Sequence, residues 1–278
     1  MSRIHDALKR AETEQTNYPV ERPQPRALTA ASIEEVPEIV SAVPATPSFS
    51  LPLTLEVLQE RAAIRTWNPN PERMLFFAQH EAAARETFRT LRSRLYQMRE
   101  KLPIKKLLVA GATGDEGISF VAANLAQVMV QQQGLRTLLI DGDLRQGKLH
   151  SDLGAPASPG LSEYLSGESE DLATIQRGLI ENLFFLPCGK TVSNPLELLG
   201  NGRIKTLLSR LEPLFDWIIL DSTPATTVSD AGQLANYCDG VLLVVRFNST
   251  SSDLAVKARD EFYGRKIVGV VLNGVKPA

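Results

Sequence analysis

The sequence predicts an α/β fold: a doubly wound, mostly parallel sheet covered by helices on both faces. Short apolar runs rich in Val, Ile, Leu and Phe recur at residues 106–110, 137–140, 183–186, 217–220, 241–245 and 267–272. Stretches of helical periodicity separate them, as at 119–132 and 195–211. Strands apolar at every position, rather than at every second one, are buried on both faces, as in parallel sheets. The ends of these runs carry Gly111, Asp141, Asp221, Arg246 and Asn273. Ligands of such sheets bind beyond the carboxyl ends of the strands, so these five residues belong to one rim.

The elements follow in order. At Ser2–Glu12, Ile4, Ala7, Leu8 and Ala11 fall at i, i+3, i+4 and i+7, giving a short amphipathic helix over residues 1–14. Prolines then recur at 19, 23, 25, 37, 44, 47 and 52 among Thr, Ser, Ala and Glu. Such a stretch buries too little apolar area to offset its ordering entropy, which makes residues 15–78 a flexible linker, with a short helix or strap near 53–67 where apolar residues return. The folded domain is expected over 79–278. It opens with a helix near 80–98 whose apolar face is Phe88, Leu91, Leu95 and Met98. Glu86, Arg89 and Arg92, three apart, line another side of that helix; on spacing alone they read as a solvated ion-pair row.

Composition narrows the partners. The chain has 278 residues, 43% hydrophobic, and a net charge of −2. No basic block points to nucleic acid or to a membrane surface. No apolar run approaches the roughly 18 residues of a bilayer span, and the charged N-terminus lacks the apolar core of a signal peptide. The expected location is the cytoplasm, with any recruitment to the inner face of a membrane made through a partner. Cys188 and Cys238 show no metal-ligand spacing and read as small buried hydrophobes in a reducing compartment.

The chemistry concentrates in residues 105–149. A phosphate loop needs small residues that let backbone N–H groups face an anion, a helix N-terminus behind them, a lysine for the β- and γ-phosphates and a hydroxyl for Mg²⁺. The pattern G-x-x-x-x-G-K-[ST] falls on Ala112-Thr113-Gly114-Asp115-Glu116-Gly117-Ile118-Ser119. The second glycine and the hydroxyl are present; alanine replaces the first glycine and isoleucine the lysine. The next strand ends in Asp141 and Asp143, a pair able to hold Mg²⁺ or to accept a proton from an attacking hydroxyl, and Asp221 ends another.

Together with ETFRTLRSRL, VAANLAQ, LLIDGDLRQGKLH, GLSEYLSGE, NPLELL, DWIILDSTPATTVSDA and GVVLNGV, these residues resemble the bacterial tyrosine kinase family of capsule and exopolysaccharide assembly. That family is a phosphate-loop relative of the division-site and partitioning ATPases. The resemblance implies a nucleotide-binding set of Gly114, Gly117, Ile118, Ser119, Phe120 and Asn273. It implies Asp141, Asp143 and Asp221 as catalytic residues, and Ser119, Asp141 and Asp221 around Mg²⁺. It also implies ATP as cofactor, a transmembrane polysaccharide co-polymerase as partner, and self-association through Glu86, Arg89 and Arg92.

Three departures bear on activity. Ile118 cannot stabilise a transferring phosphoryl group, and one lost electrostatic stabiliser costs on the order of 10²–10³ in rate. Asp115 stands where the family has glycine, adding a negative charge beside the phosphates. The tyrosines, at 18, 96, 164, 237 and 263, form no C-terminal cluster. Lys148 is a distant candidate for a substitute cation. The expectation is a pseudokinase or regulatory scaffold; the alternative is an active ATP-dependent tyrosine autokinase that tolerates Ile118.

Overall fold

The structure, a computed structural model, describes residues 53–77, 82–178 and 180–275. The helix read at 1–14, the linker up to residue 52 and Tyr18 lie outside them. From Leu53 on, the chain forms one compact unit, so packing begins ahead of the boundary at 79 drawn from composition.

Helix α1 (Leu55–Arg61) starts at Thr54, whose hydroxyl accepts a hydrogen bond from Val57 N, and leads into β1 (Ala63–Ile64). After α2 (Ala82–Arg99) come β2 (Lys106–Gly111), α3 (Ile118–Val130) and β3 (Thr137–Asp141). Three short helices follow, α4 (Leu149–Leu153), α5 (Leu161–Ser166) and α6 (Asp171–Thr174), then β4 (Gln176–Arg177) and β5 (Leu183–Leu186). The chain continues through α7 (Pro195–Gly200), α8 (Arg203–Leu211), β6 (Trp217–Asp221) and α9 (Asp230–Ala235). It closes with β7 (Gly240–Arg246), α10 (Ser252–Glu261) and β8 (Ile267–Asn273).

The strands form one sheet in the order β1-β4-β5-β3-β6-β2-β7-β8. Only the short β4·β5 pair is antiparallel. Alternate residues of each strand feed two cores. Leu108, Ala110, Leu138, Ile140, Ile218 and Leu220 pack against α5, α7, α8 and α9 on one face. Leu107, Val109, Leu139, Trp217 and Ile219 pack against α2, α3 and α4 on the other. Burial on both faces is the physical reason the strands read as unbroken apolar runs.

Residues 62–77 form a strap along the sheet. Ala63 N and Arg65 N donate to Ile175 O (3.0 Å) and Arg177 O (2.9 Å), seating β1 beside β4. Trp67, 1% exposed, meets Phe185 edge-on at 6.3 Å. Asn68 N and Asn70 N donate to Gly154 O and Asp152 O, and Arg73 pairs with Asp152 at 3.1 Å. Buried Asn124 of α3 then clasps the strap: its Oδ1 accepts from Leu75 N (2.8 Å), and its Nδ2 donates to Arg73 O (2.9 Å) and Phe120 O (2.8 Å).

This topology positions the rim. Strand β2 sits between β6 and β7, and Asp141 and Asp221 are register partners at the ends of adjacent β3 and β6. Among the described residues, no helix is long and apolar enough to cross a membrane.

Candidate nucleotide site

The loop from β2 to α3 runs over Ala112–Gly117 and contains a single 3₁₀ turn, Gly114–Glu116. It is braced from behind. Glu116 is 1% exposed; its Oε2 accepts from Thr113 N (3.1 Å) and its Oε1 from the Thr250 hydroxyl (2.5 Å). Asn273, ending β8, donates from Nδ2 to Glu116 O (2.8 Å), and Arg246, ending β7, donates from Nη1 to Asp115 O (2.7 Å). On the other side, Ala225 N donates to Gly111 O (2.9 Å) and the Thr226 hydroxyl to Ala112 O (2.7 Å). Three neighbouring strand ends therefore hold the loop without a ligand. Gly117 turns the chain into α3 at φ +85°, and a Cβ there would overlap Asn273 Nδ2, so this position requires glycine.

Ile118, the first residue of α3, is 4% exposed and belongs to the same core as Val121, Leu125 and Val244. A Cβ on Gly111 would stand 3.1 Å from Ile118 Cγ1, which places the side chain against the end of β2. The position that carries the lysine of a phosphate loop is here part of the core. Ser119 follows, half-buried and next to Asp221.

The carboxylates face one another across the strand ends. Asp221 is fully buried, and its oxygens face the Ser119 hydroxyl and the Ser222 N–H, neither of them aligned as a full hydrogen bond. Burial, then the nearby charge of Asp141, holds its carboxyl well above the usual range, while the Ser119 hydroxyl works in the opposite direction. Asp141 accepts from Asp143 N (3.2 Å) and Leu149 N (3.1 Å); burial, reinforced by the charge of Asp143, nonetheless pushes it up to about 7. Asp143 is more exposed and caps its own turn, accepting from Arg145 N and Gln146 N (both 3.0 Å). Two buried carboxyls on adjacent strands, one of them only loosely contacted, raise each other's affinity for a proton or a cation. Ser119, Asp141 and Asp221 supply the hard oxygen donors that Mg²⁺ prefers, so the residues present fit that ion.

The family described as cellulose biosynthesis protein BcsQ matches residues 104–262. The putative tyrosine-protein kinase CapB of Staphylococcus aureus is 32% identical over 190 residues, covering 68% of this chain and 83% of CapB. The chain belongs to the bacterial tyrosine kinase family. A second member, the putative tyrosine-protein kinase in the cps region of Klebsiella pneumoniae, is 35% identical over 193 residues, 68% of this chain. The present chain spans only 26% of that relative's length. The solved kinase domain of Escherichia coli ETK superposes with a TM-score of 0.64 at 32% identity, covering 70% of this chain and 78% of that one.

Against the family's motif, the structure brings Gly114, Gly117, Ser119, Asp141, Asp143 and Asp221 to one rim. Three other residues are placed differently from the expectation. Asn273 serves the loop's backbone through Glu116 O. The Phe120 ring is engaged by Phe88, edge-on at 6.1 Å, and by the Arg73 guanidinium at 5.7 Å. Arg92 donates to Val128 O (2.8 Å), capping the last turn of α3, while Glu86 and Arg89 form an exposed pair at 3.0 Å. Glu116 and Thr250 escaped the sequence reading. Thr113-x-x-Glu116 carries the T-x-x-E signature of a helix start and could have disclosed the first; nothing local marks the second. Cys188, which spacing alone gives as a small buried hydrophobe, and His150, which no motif marks, are both brought to Asp141 by the fold.

Proposed function

We propose that this chain serves exopolysaccharide assembly as a kinase-family scaffold whose phosphotransfer is disabled. It would act through contacts between copies and with a transmembrane polysaccharide co-polymerase. The observation that carries this reading is the burial of Ile118. The branched apolar side chain is taken up by the core, so the loop offers the phosphates a braced backbone but no lysine cation. Asp115 beside it adds a carboxylate where the family has glycine. Ser119, Asp141 and Asp221 would hold Mg²⁺, which would supply positive charge for the phosphates. The chain's own residues would hold the loop, exclude water behind Glu116 and keep the two carboxyls apart from solvent.

One observation favours a second reading, an active autokinase. The Asp221 carboxyl, fully buried and only loosely met by Ser119 and Ser222, is costly to ionise there, and a bound cation would offset that cost. Tyr263, 92% exposed, is the natural acceptor in that case. The other described tyrosines are engaged: Tyr164 and Tyr237 donate to Arg203 O and Leu199 O, and Tyr96 accepts from Trp217 Nε1.

Calorimetric titration with ATP, with and without Mg²⁺, decides between them. The scaffold reading predicts a Kd on the order of 1 mM or weaker. Micromolar Mg·ATP affinity, together with phosphotyrosine formation that Asp141→Ala abolishes, would overturn it.

A further inference from the structure

We propose that Asp141, His150 and Cys188 form a binding site for one thiophilic divalent cation of the zinc class, sharing only Asp141 with the oxygen-donor set for Mg²⁺. A carboxylate oxygen, an imidazole nitrogen and the thiol sulfur of these residues lie within 4.8 Å of one another. They come from the end of β3, from α4 and from the segment after β5, so the fold assembles them from distant parts of the chain.

Two of the donors are buried, Asp141 at 0% and Cys188 at 7% exposure, while His150 stands half-buried at the mouth. His150 Nδ1 is buried and has no hydrogen-bond partner among the described residues, whereas its Nε2 lies 3.2 Å from the Ser151 hydroxyl. An imidazole with one nitrogen held by a neighbour and the other free is the arrangement a metal-binding histidine adopts. The thiol's own contact, to Gly189 O at 3.4 Å, is weak. The chain at Gly147 crosses so close to Cys188 that a Cβ there would overlap the sulfur, which fixes the thiol's position. A buried cysteine acting as a plain hydrophobe accounts for the sulfur but leaves Nδ1 of His150 without a role.

The donor set selects the ion. Mg²⁺ and Ca²⁺ take oxygen ligands, whereas one sulfur, one nitrogen and one oxygen suit Zn²⁺ and ions of similar softness. Bonds of about 2.0–2.3 Å in tetrahedral geometry need donors ~3.3–3.8 Å apart, so the site closes by a contraction of at most about 1–1.5 Å. Three protein donors leave the fourth position open at the half-exposed side. The thiol proton leaves to solvent as the ion binds, and the sulfur coordinates as thiolate.

The test is a titration of the full chain, stripped with chelator, with Co²⁺ as the spectroscopic probe. One equivalent should bind with a thiolate-to-cobalt charge-transfer band and the intense visible bands of low coordination. Zn²⁺ should displace it and excess Mg²⁺ should not. Cys188→Ser should abolish the charge-transfer band, and His150→Gln should weaken binding by about tenfold or more. Cys238→Ser, at the opposite edge of the sheet beside the start of β7, should bind as the parent does. Should Cys188→Ser fail to fold, His150→Gln decides alone, because its side chain is half-exposed. The proposal is overturned if no thiolate band forms, if the band survives Cys188→Ser, or if His150→Gln binds like the parent.

Discussion

At Ile118 the side chain that would reach for a phosphate is turned into the core, and its replacement therefore has two separable effects. Ile118→Lys combined with Asp115→Gly restores a cation and removes a carboxylate. Nucleotide affinity should rise by at least about tenfold, or about 1.4 kcal/mol. The same change withdraws a buried isoleucine and should lower stability by about 1–3 kcal/mol. Calorimetry and thermal unfolding read the two effects independently; unchanged affinity would remove Ile118 as the explanation of the defect. The substitution itself was legible in the sequence. Its burial was not, because the apolar surface that receives Ile118 includes Val244, more than 100 residues downstream. Asp141 makes a second residue-scale prediction. Its carboxyl is raised from 3.8 to about 7, so the native state holds that proton more tightly than the unfolded chain. The resulting stability is complete below about pH 4 and is lost as the pH rises through about 7. In chelator-treated protein, Asp141→Asn should flatten, by on the order of 1–3 kcal/mol, the decline in stability between about pH 4 and 7, leaving the share due to Asp221, as measured by urea unfolding at each pH.

The loop between β2 and α3 is an element held mainly by other elements. Its T-x-x-E pattern and its glycine were readable, and they give the turn. The grips of Thr250, Arg246 and Asn273 come from the far end of the chain, where no local periodicity announces them. Sequence spacing therefore identified the phosphate loop but not its rigidity. Removing one grip should loosen the element while leaving the sheet intact. Asn273→Ala and Thr250→Ala should each accelerate amide hydrogen exchange across residues 112–119 by about tenfold, with the strand amides of β2 and β3 unaffected. Uniform acceleration through the strands would show that the brace belongs to global stability instead.

Across the molecule, the fold was the most legible property, because six unbroken apolar runs, all but the edge strand β8 buried on both faces, leave few alternatives to a parallel sheet. The two-residue strands β1 and β4 were missed: their pairing is set by the strap's backbone rather than by any apolar run. Self-association also belongs to this scale, and the three residues of the helical row now divide. Glu86 and Arg89 face solvent as a pair, whereas Arg92 satisfies a carbonyl of α3 within its own chain. Glu86→Ala with Arg89→Ala should shift sedimentation toward monomer with Tm unchanged. Arg92→Ala should lower Tm by about 2–4 °C, corresponding to about 1 kcal/mol.

The strap has a mechanical consequence. Residues 53–77 form a segment fastened to both flanks of the rim. Asn124 ties it to α3, whose first turn closes the phosphate loop, and Arg73 ties it to Asp152 on α4, two residues beyond His150. A pull applied at Leu53 would thus be borne first by the β1·β4 pair, through Ala63 N and Arg65 N, and would reach Asn124 and Asp152 only after that edge strand had slipped. The edge strand would act as a fuse that shields the geometry of the rim from force on the strap.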